Sequence, residues 1–257
     1  MILGIDYGAT TTDAVAVEKK KVVKKISLPS IQHHTIYELK EKLSIHPEKI
    51  AVTGGKEKKY SNATRINEIQ AIGYGGAFLA KKEHCIVASL GTGTCIVHVN
   101  KNKIEHGCGT GVGGGTILGL STLLTQLTDI HQLNALAQKG TVKDIDIIVG
   151  DIIGKGIGRI PATVTASNFG KAAFTTVTKS EDLILATMKL VAEPVAMLII
   201  MAALYKNEDS IVLTGKVTQI PTIVLLMKEI FKVYNKRFII PQHADVATAV
   251  GAAMCLP

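Results

Sequence analysis

The chain has 257 residues, 47% hydrophobic and 19% charged, with a formal net charge of +8. That balance excludes a disordered chain, and the length allows one or two domains with a sizeable core. The positive charge does not by itself indicate nucleic acid. It is concentrated in Lys19-Lys20-Lys21 and Lys24-Lys25, aromatics are 4%, and there is no Trp to build a stacking platform. A solvated hairpin tip and no nucleic-acid partner are therefore expected.

Cys85, Cys95, Cys108 and Cys255 form no C-x-x-C pair, so neither a zinc site nor a redox pair is signalled, and a reducing cytoplasm fits. No basic stretch precedes the first strand, so no signal peptide is expected. The most apolar segment, 183–205, contains Lys189, Glu193 and Pro194, leaving twelve uncharged residues from Pro194 to Tyr205. A membrane span needs about 20. The segment reads as a buried core helix, and no membrane partner is expected.

In chain order, residues 2–5, 12–17 and 21–28 read as strands, the first two joined by a glycine-threonine turn. Apolar spacing at Ile36, Leu39 and Leu43 predicts a helix over 35–43. A strand follows at 49–53, ended by Gly54-Gly55, then a helix at 67–81. A second cycle opens with strands at 85–89, 95–100 and 103–106. The glycine run 107–115 then leads into a helix at 116–125. Further helices are expected at 131–137, 144–153, 181–205, 219–234 and 246–255, with strands at 210–213 and 237–240. Each half thus opens with a strand, a Gly/Thr turn and a returning strand, an internal duplication at the level of pattern. The expected class is α/β, divided at a hinge near 80–86 into residues 1–83 and 84–257, with the last helix packing back on the first half.

Three glycine motifs carry the chemistry. Asp6-Tyr7-Gly8-Ala9-Thr10-Thr11 places a carboxylate at a strand end, then a glycine that permits close backbone approach, then hydroxyls. Such a turn can donate to phosphate oxygens through Gly8, Thr10 and Thr11, while Asp6 holds Mg²⁺ or its water shell. An ordinary hairpin turn has the same composition. Gly91-Thr92-Gly93-Thr94 repeats that chemistry at the corresponding place in the second half, and two facing turns make a clamp. Gly113, Gly114 and Gly115 open a helix and suit an anion, although a structural glycine loop reads the same way. Gly215, after the strand-like Val212-Leu213-Thr214, permits close approach to a nucleotide, or close helix packing. Glu68 stands at a helix start. It suits a group that deprotonates an attacking hydroxyl, and equally a helix cap.

The order Asp6-x-Gly-x-Thr, Val52-Thr53-Gly54-Gly55, Glu68, Gly91-Thr92-Gly93-Thr94, and Gly113-Gly114-Gly115-Thr116 followed by Gly119-Leu120 resembles the type II pantothenate kinases. The stretch 123–137 and Thr165-Ala166-Ser167-Asn168-Phe169-Gly170 are similar to that family too, so the resemblance covers nearly the whole chain. It implies two ribonuclease H-like domains, with mixed sheets flanked by helices, of the actin-like ATPase superfamily. It also implies a homodimer that uses ATP and Mg²⁺ to phosphorylate pantothenate at its terminal hydroxyl, the committed step of coenzyme A synthesis. By the same resemblance Glu68 is the catalytic base, Asp6, Gly8 and Thr10 are the first phosphate turn, and Gly91 to Thr94 are the second.

Three positions depart from the family's pattern. Asp13 stands where a lysine near the phosphates is usual. Cys95 replaces a serine after the second turn, and His106 replaces an arginine that contacts pantothenate; both belong to the substrate pocket. Histidine lacks the permanent charge and fork of arginine, and Lys101, Lys103 and Arg65 are candidate substitutes. Other readings are a kinase of another small alcohol, a non-catalytic ATP-binding relative, and an activator ATPase of acyl-CoA dehydratases. Those activators hold an iron–sulfur cluster by a cysteine after a similar Asn-Glu-Ile segment. Here Gln70, Ala71 and Ile72 follow instead, which counts against the last reading.

Overall fold

The computed structural model describes residues 1–55, 62–176 and 179–256. The first half contains β1 (Ile2–Tyr7), β2 (Thr11–Glu18), β3 (Lys21–Pro29), α1 (Ile36–Leu43), β4 (Lys49–Gly54), β5 (Thr64–Arg65) and α2 (Glu68–Ala80). Its sheet runs in the order β3-β2-β1-β4-β5. The second half contains β6 (His84–Leu90), β7 (Thr94–Asn100), β8 (Lys103–Thr110), α3 (Gly114–Thr125), α4 (Ile130–Ala137), β9 (Ile147–Ile148), α5 (Val149–Ile153), β10 (Thr165–Ser167), α6 (Ser180–Tyr205), β11 (Ile211–Thr214), α7 (Pro221–Val233) and α8 (Ala247–Met254). Its main sheet runs β11-β6-β7-β8.

The duplication read from the pattern is present in the topology. β1, β2 and β3 are antiparallel neighbours, and β4 joins β1 in parallel. β6, β7 and β8 are likewise antiparallel, and β11 joins β6 in parallel. The glycine-threonine turn of each half therefore joins equivalent strands at equivalent ends.

Two helices link the halves. The buried face of α2 contributes Ile72 and Ala77 to a cluster with Val87, Val97 and Val99 of the second sheet. α8 packs Ala249, Val250 and Ala253 against Val15 and Val17 of the first sheet. The two helices touch backbone to backbone. A Cβ on Gly75 would lie 1.9 Å from Ala247 O, and one on Gly251 would lie 1.8 Å from Ala71 O. Only glycine permits that approach.

α6 is long and apolar enough to cross a membrane by composition. Here it is the core helix of the second half, with Ile184, Met188, Ile199 and Ile200 fully buried beside Ile86 and Ile96. Its charged residues are used internally. Lys189 Nζ lies 3.8 Å from Asp146 and 3.5 Å from Glu193. Glu193 accepts from Thr165 Oγ1 at 2.9 Å and from Asn168 Nδ2 at 3.3 Å, and Asp146 accepts the Phe169 amide at 2.8 Å. Burial pushes the Asp146 carboxyl above its usual range. This cluster pins the 165–170 segment to α6.

Several elements differ from the sequence expectation. The helix expected over 144–153 is only Val149–Ile153. Asp146 is fully buried and occupied by Phe169, and Ile147–Ile148 is drawn into pairing with β10. The strand expected over 237–240 is a single bridge between Ile239 and Val212. β8 continues to Thr110 and absorbs the start of the glycine run, so α3 begins at Gly114 instead of Thr116.

Candidate active site

The two glycine-threonine turns meet. Thr10 Oγ1 and Thr92 Oγ1 lie 2.8 Å apart, with 82 positions between them in the chain. Ser30 buttresses the first turn, its hydroxyl donating to Gly8 O at 2.7 Å and its amide to Thr10 O at 2.9 Å. Thr11 Oγ1 points toward Asp13 at 3.5 Å. Behind the second turn, the amides of Gly114 and Gly115 donate to Gly91 O (2.8 Å) and Thr92 O (2.9 Å). A Cβ on Gly113 would lie 2.7 Å from Thr92 O. Gly113, Gly114 and Gly115 thus support the second turn directly, with two of their amides already engaged. Thr94 is buried and its hydroxyl donates to Val112 O at 2.8 Å, while Thr92 stands exposed at the tip.

Gly215 braces the same turn from the other side. It adopts φ +89°, and a Cβ there would lie 2.4 Å from Leu90 O. No side chain fits, and the left-handed backbone is one that glycine adopts without strain. The β11 end therefore presses against the residue that begins the second turn.

Asp6 ends β1 beside this junction. Its Oδ1 is buried without a hydrogen-bond partner among the described residues. A Cβ on Gly54, at φ +68°, would lie 2.6 Å from that oxygen. Burial pushes the Asp6 carboxyl up to about 8, with further upward pressure from Asp13 and Glu68 and an opposing pull from Lys216. An orphaned, crowded carboxyl oxygen suits a hard cation, and Mg²⁺ commonly takes one or two carboxylates together with substrate phosphates.

Glu68 is exposed at the first position of α2. The helix does not need it as a cap, since Asn67 Oδ1 accepts the amides of Ile69 (2.9 Å) and Gln70 (3.3 Å). Its charge acts on both Asp6 and Cys95. The Cys95 thiol is pushed up to about 11, by burial first and then by Glu68, so it stays neutral at physiological pH. Cys95 pairs with Gly109 across β7 and β8. A Cβ on Gly109 would fall 3.7 Å from Cys95 Cα and 3.8 Å from His106 Nε2. Glu68, Cys95 and His106 are therefore gathered on one side of the junction.

Residues 80–254 match the family described as Fumble. Over 268 residues the chain is 35% identical to a type II pantothenate kinase of Bacillus thuringiensis subsp. konkukian (strain 97-27), covering 98% of this chain and 96% of the relative. The protein of the same name from Bacillus anthracis is 34% identical with the same coverage. This chain belongs to the type II pantothenate kinase family. Its fold is also that of two more distant structures. An activator of the 2-hydroxyisocaproyl-CoA dehydratase from Clostridium difficile, with bound ADPNP, superposes with a TM-score of 0.70 at 19% identity, covering 98% of this chain and 92% of the other. A glucokinase of the ROK family from Streptomyces griseus gives 0.63 at 13% identity, covering 98% of each chain. The architecture is that of the actin-like ATPases and sugar kinases.

The positions that depart from the family's pattern have definite surroundings. Asp13 is buried and pairs with Lys216, whose Nζ lies 2.7 Å from its Oδ1. Lys103 pairs with Glu105, and neither Lys101 nor Lys103 is near the second turn. They lie at the Asn100 end of β7, six residues or about 20 Å from the Thr94 end. Arg65 is nearer, but its Nη2 donates to Gly54 O (3.4 Å) and Gly55 O (3.2 Å). A cavity of about 1000 Å³ opens elsewhere, lined by Lys20, Lys21, Lys81, Lys82 and Lys101, and none of the site residues borders it.

Lys216 is the residue that sequence reading missed. The signal for it was indirect: an aspartate inside the otherwise apolar strand Asp13-Ala14-Val15-Ala16-Val17 must be paired if buried. Lys216 is one of several lysines that directly follow a glycine, so the sequence does not single it out as that partner.

Proposed function

We propose that this protein transfers the γ-phosphoryl group of ATP to the terminal hydroxyl of pantothenate, giving 4′-phosphopantothenate and ADP, the first step of coenzyme A synthesis. The observation that carries this is the meeting of the two turns at Thr10 and Thr92, with Asp6 and Glu68 beside it, in a chain of this family. The polyphosphate is held between the turns, by the exposed hydroxyls of Thr10 and Thr92 and by backbone amides of Gly8 to Thr11 and Gly91 to Gly93. Mg²⁺, bound with the nucleotide, would neutralise charge on the phosphates, and Asp6 is the residue that would hold it. Glu68 accepts the proton of the attacking hydroxyl, so that the nucleophile forms its bond to phosphorus as the bond to the ADP oxygen breaks. Cys95 and His106 border the acceptor, the neutral thiol packing against it and the imidazole donating one hydrogen bond.

A homodimer in the cytoplasm is part of the same reading. The product test is direct. Incubation with Mg-ATP and pantothenate should give a pantothenate-dependent phosphoester, identified by mass and by its phosphorus resonance. ADP without such a product would remove pantothenate as the acceptor.

A further inference from the structure

Lys216 follows Gly215, whose backbone presses on Leu90 O at the start of the second turn. Its side chain leaves that turn and ends on the first half, where Nζ donates to Asp13 Oδ1 at 2.7 Å, to Ser27 Oγ, and to Asp245 O at 3.5 Å. Asp13 is the cross-strand partner of Asp6. Lys216 thus spans the same junction as the Thr10–Thr92 contact, with its root at one turn and its charge beside the other.

The charge balance gives this bridge a role. Asp13 and Glu68 flank Asp6 here, and a polyphosphate entering beside these carboxylates meets repulsion unless a cation is present. Three cations of the first half among the described residues are engaged elsewhere. Lys24 donates to Leu43 O and Ser44 O, Lys25 pairs with Asp245, and Arg65 is bound to Gly54 and Gly55. Among the described residues that act on Asp6, Lys216 is the cation. In the pair with Asp13 the aspartate is the covered member, 9% exposed against 35% for the lysine. Asp13 is the anchor, and about a third of the lysine side chain stays exposed.

We propose that Lys216 is the polyphosphate-binding cation of this site, supplied from the second half of the chain and held in position by Asp13 and Ser27. The inference rests on the cleft being the ATP site. It explains how a chain with Asp13 in the first phosphate motif keeps a positive charge there: anion and cation have exchanged halves.

The test compares ATP with adenosine, which shares the base and ribose but has no phosphate. Both are titrated into the whole protein by calorimetry. Lys216→Met should weaken ATP about 10- to 100-fold, the loss of one charged hydrogen bond, and leave adenosine unchanged. Lys216→Gln keeps a donor for Asp13 without the charge and should show the same selective loss, which covers a Met variant that fails to fold. The exchange Asp13→Lys with Lys216→Asp should recover most of the preference for ATP. An unchanged ATP-to-adenosine ratio in the single variants, with only a lowered melting temperature, would make Lys216 a strap between the halves and overturn the proposal. Failure of the wild type to bind ATP would overturn this and the cleft reading together. ATP binding without pantothenate turnover would remove the acceptor alone.

Discussion

The hydroxyls of Thr10 and Thr92 lie 2.8 Å apart, so each glycine-threonine turn is in contact with its counterpart from the other half of the chain. Both side chains stand at exposed turn tips; one hydroxyl donates to the other, and a phosphate oxygen entering between them would take over that donor. Thr10→Val and Thr92→Val should each weaken ATP by about three- to tenfold, the usual worth of one neutral hydrogen bond. Because the two hydroxyls are partners, the double variant should lose less than the product of the single losses. Nucleotide titration of the four proteins measures this coupling.

Asp6 gives the site a pH signature. Its folded carboxyl is raised from 3.8 to about 8, chiefly by burial. Between those values the folded protein holds a proton that the unfolded chain has lost. Stability therefore falls as pH rises from about 4 to about 8, and the Asp6 contribution is constant beyond. Asp6→Asn should remove that slope in denaturant titrations across the window. On the proposed reading, in which Asp6 holds Mg²⁺, the same carboxyl gives up its proton when nucleotide and Mg²⁺ bind near pH 7. Calorimetry in buffers of different ionisation enthalpy should detect proton release in the wild type and not in Asp6→Asn.

The charged cluster under the 165–170 segment is a structural liability if broken. Lys189 is 8% exposed and faces Asp146 and Glu193. Lys189→Met leaves two covered carboxyls without their cation and should cost about 3–5 kcal/mol of stability. Chemical denaturation would measure it, and an unchanged midpoint would show that the two acids find other partners.

The contact between α2 and α8 depends on absent side chains. Gly251→Ala places a methyl 1.8 Å from Ala71 O, a clash with backbone that neither helix relieves by changing a rotamer. Overpacking of this kind typically costs about 1–3 kcal/mol. Gly251→Ala should lower the melting temperature well beyond Gly119→Ala, a position with nothing within 4 Å of the added Cβ.

Much of the fold was legible because each half repeats a local pattern. Alternating apolar strands, lysine-rich tips and glycine-threonine turns placed β1 to β4 and β6 to β8 within a few residues. The segment at 144–153 was misread because its acidic and apolar residues have helical spacing, while burial of Asp146 decides its structure. The strand expected at 237–240 has the right composition but only one bridge to β11. At the site, single motifs named Asp6, Glu68 and both turns. They did not reveal that Gly114 and Gly115 spend amides on the second turn, nor that Lys216 reaches Asp13 from 203 positions away. Such pairings are properties of topology, not of local sequence.

The central claim is tested most directly by steady-state ADP release as pantothenate is titrated at saturating Mg-ATP, with wild type and Glu68→Gln side by side. The account predicts saturable, pantothenate-dependent ADP release by the wild type, and about 10²- to 10⁴-fold slower turnover by Glu68→Gln with ATP affinity retained. Equal rates for the two proteins, or ADP release indifferent to pantothenate, would contradict it.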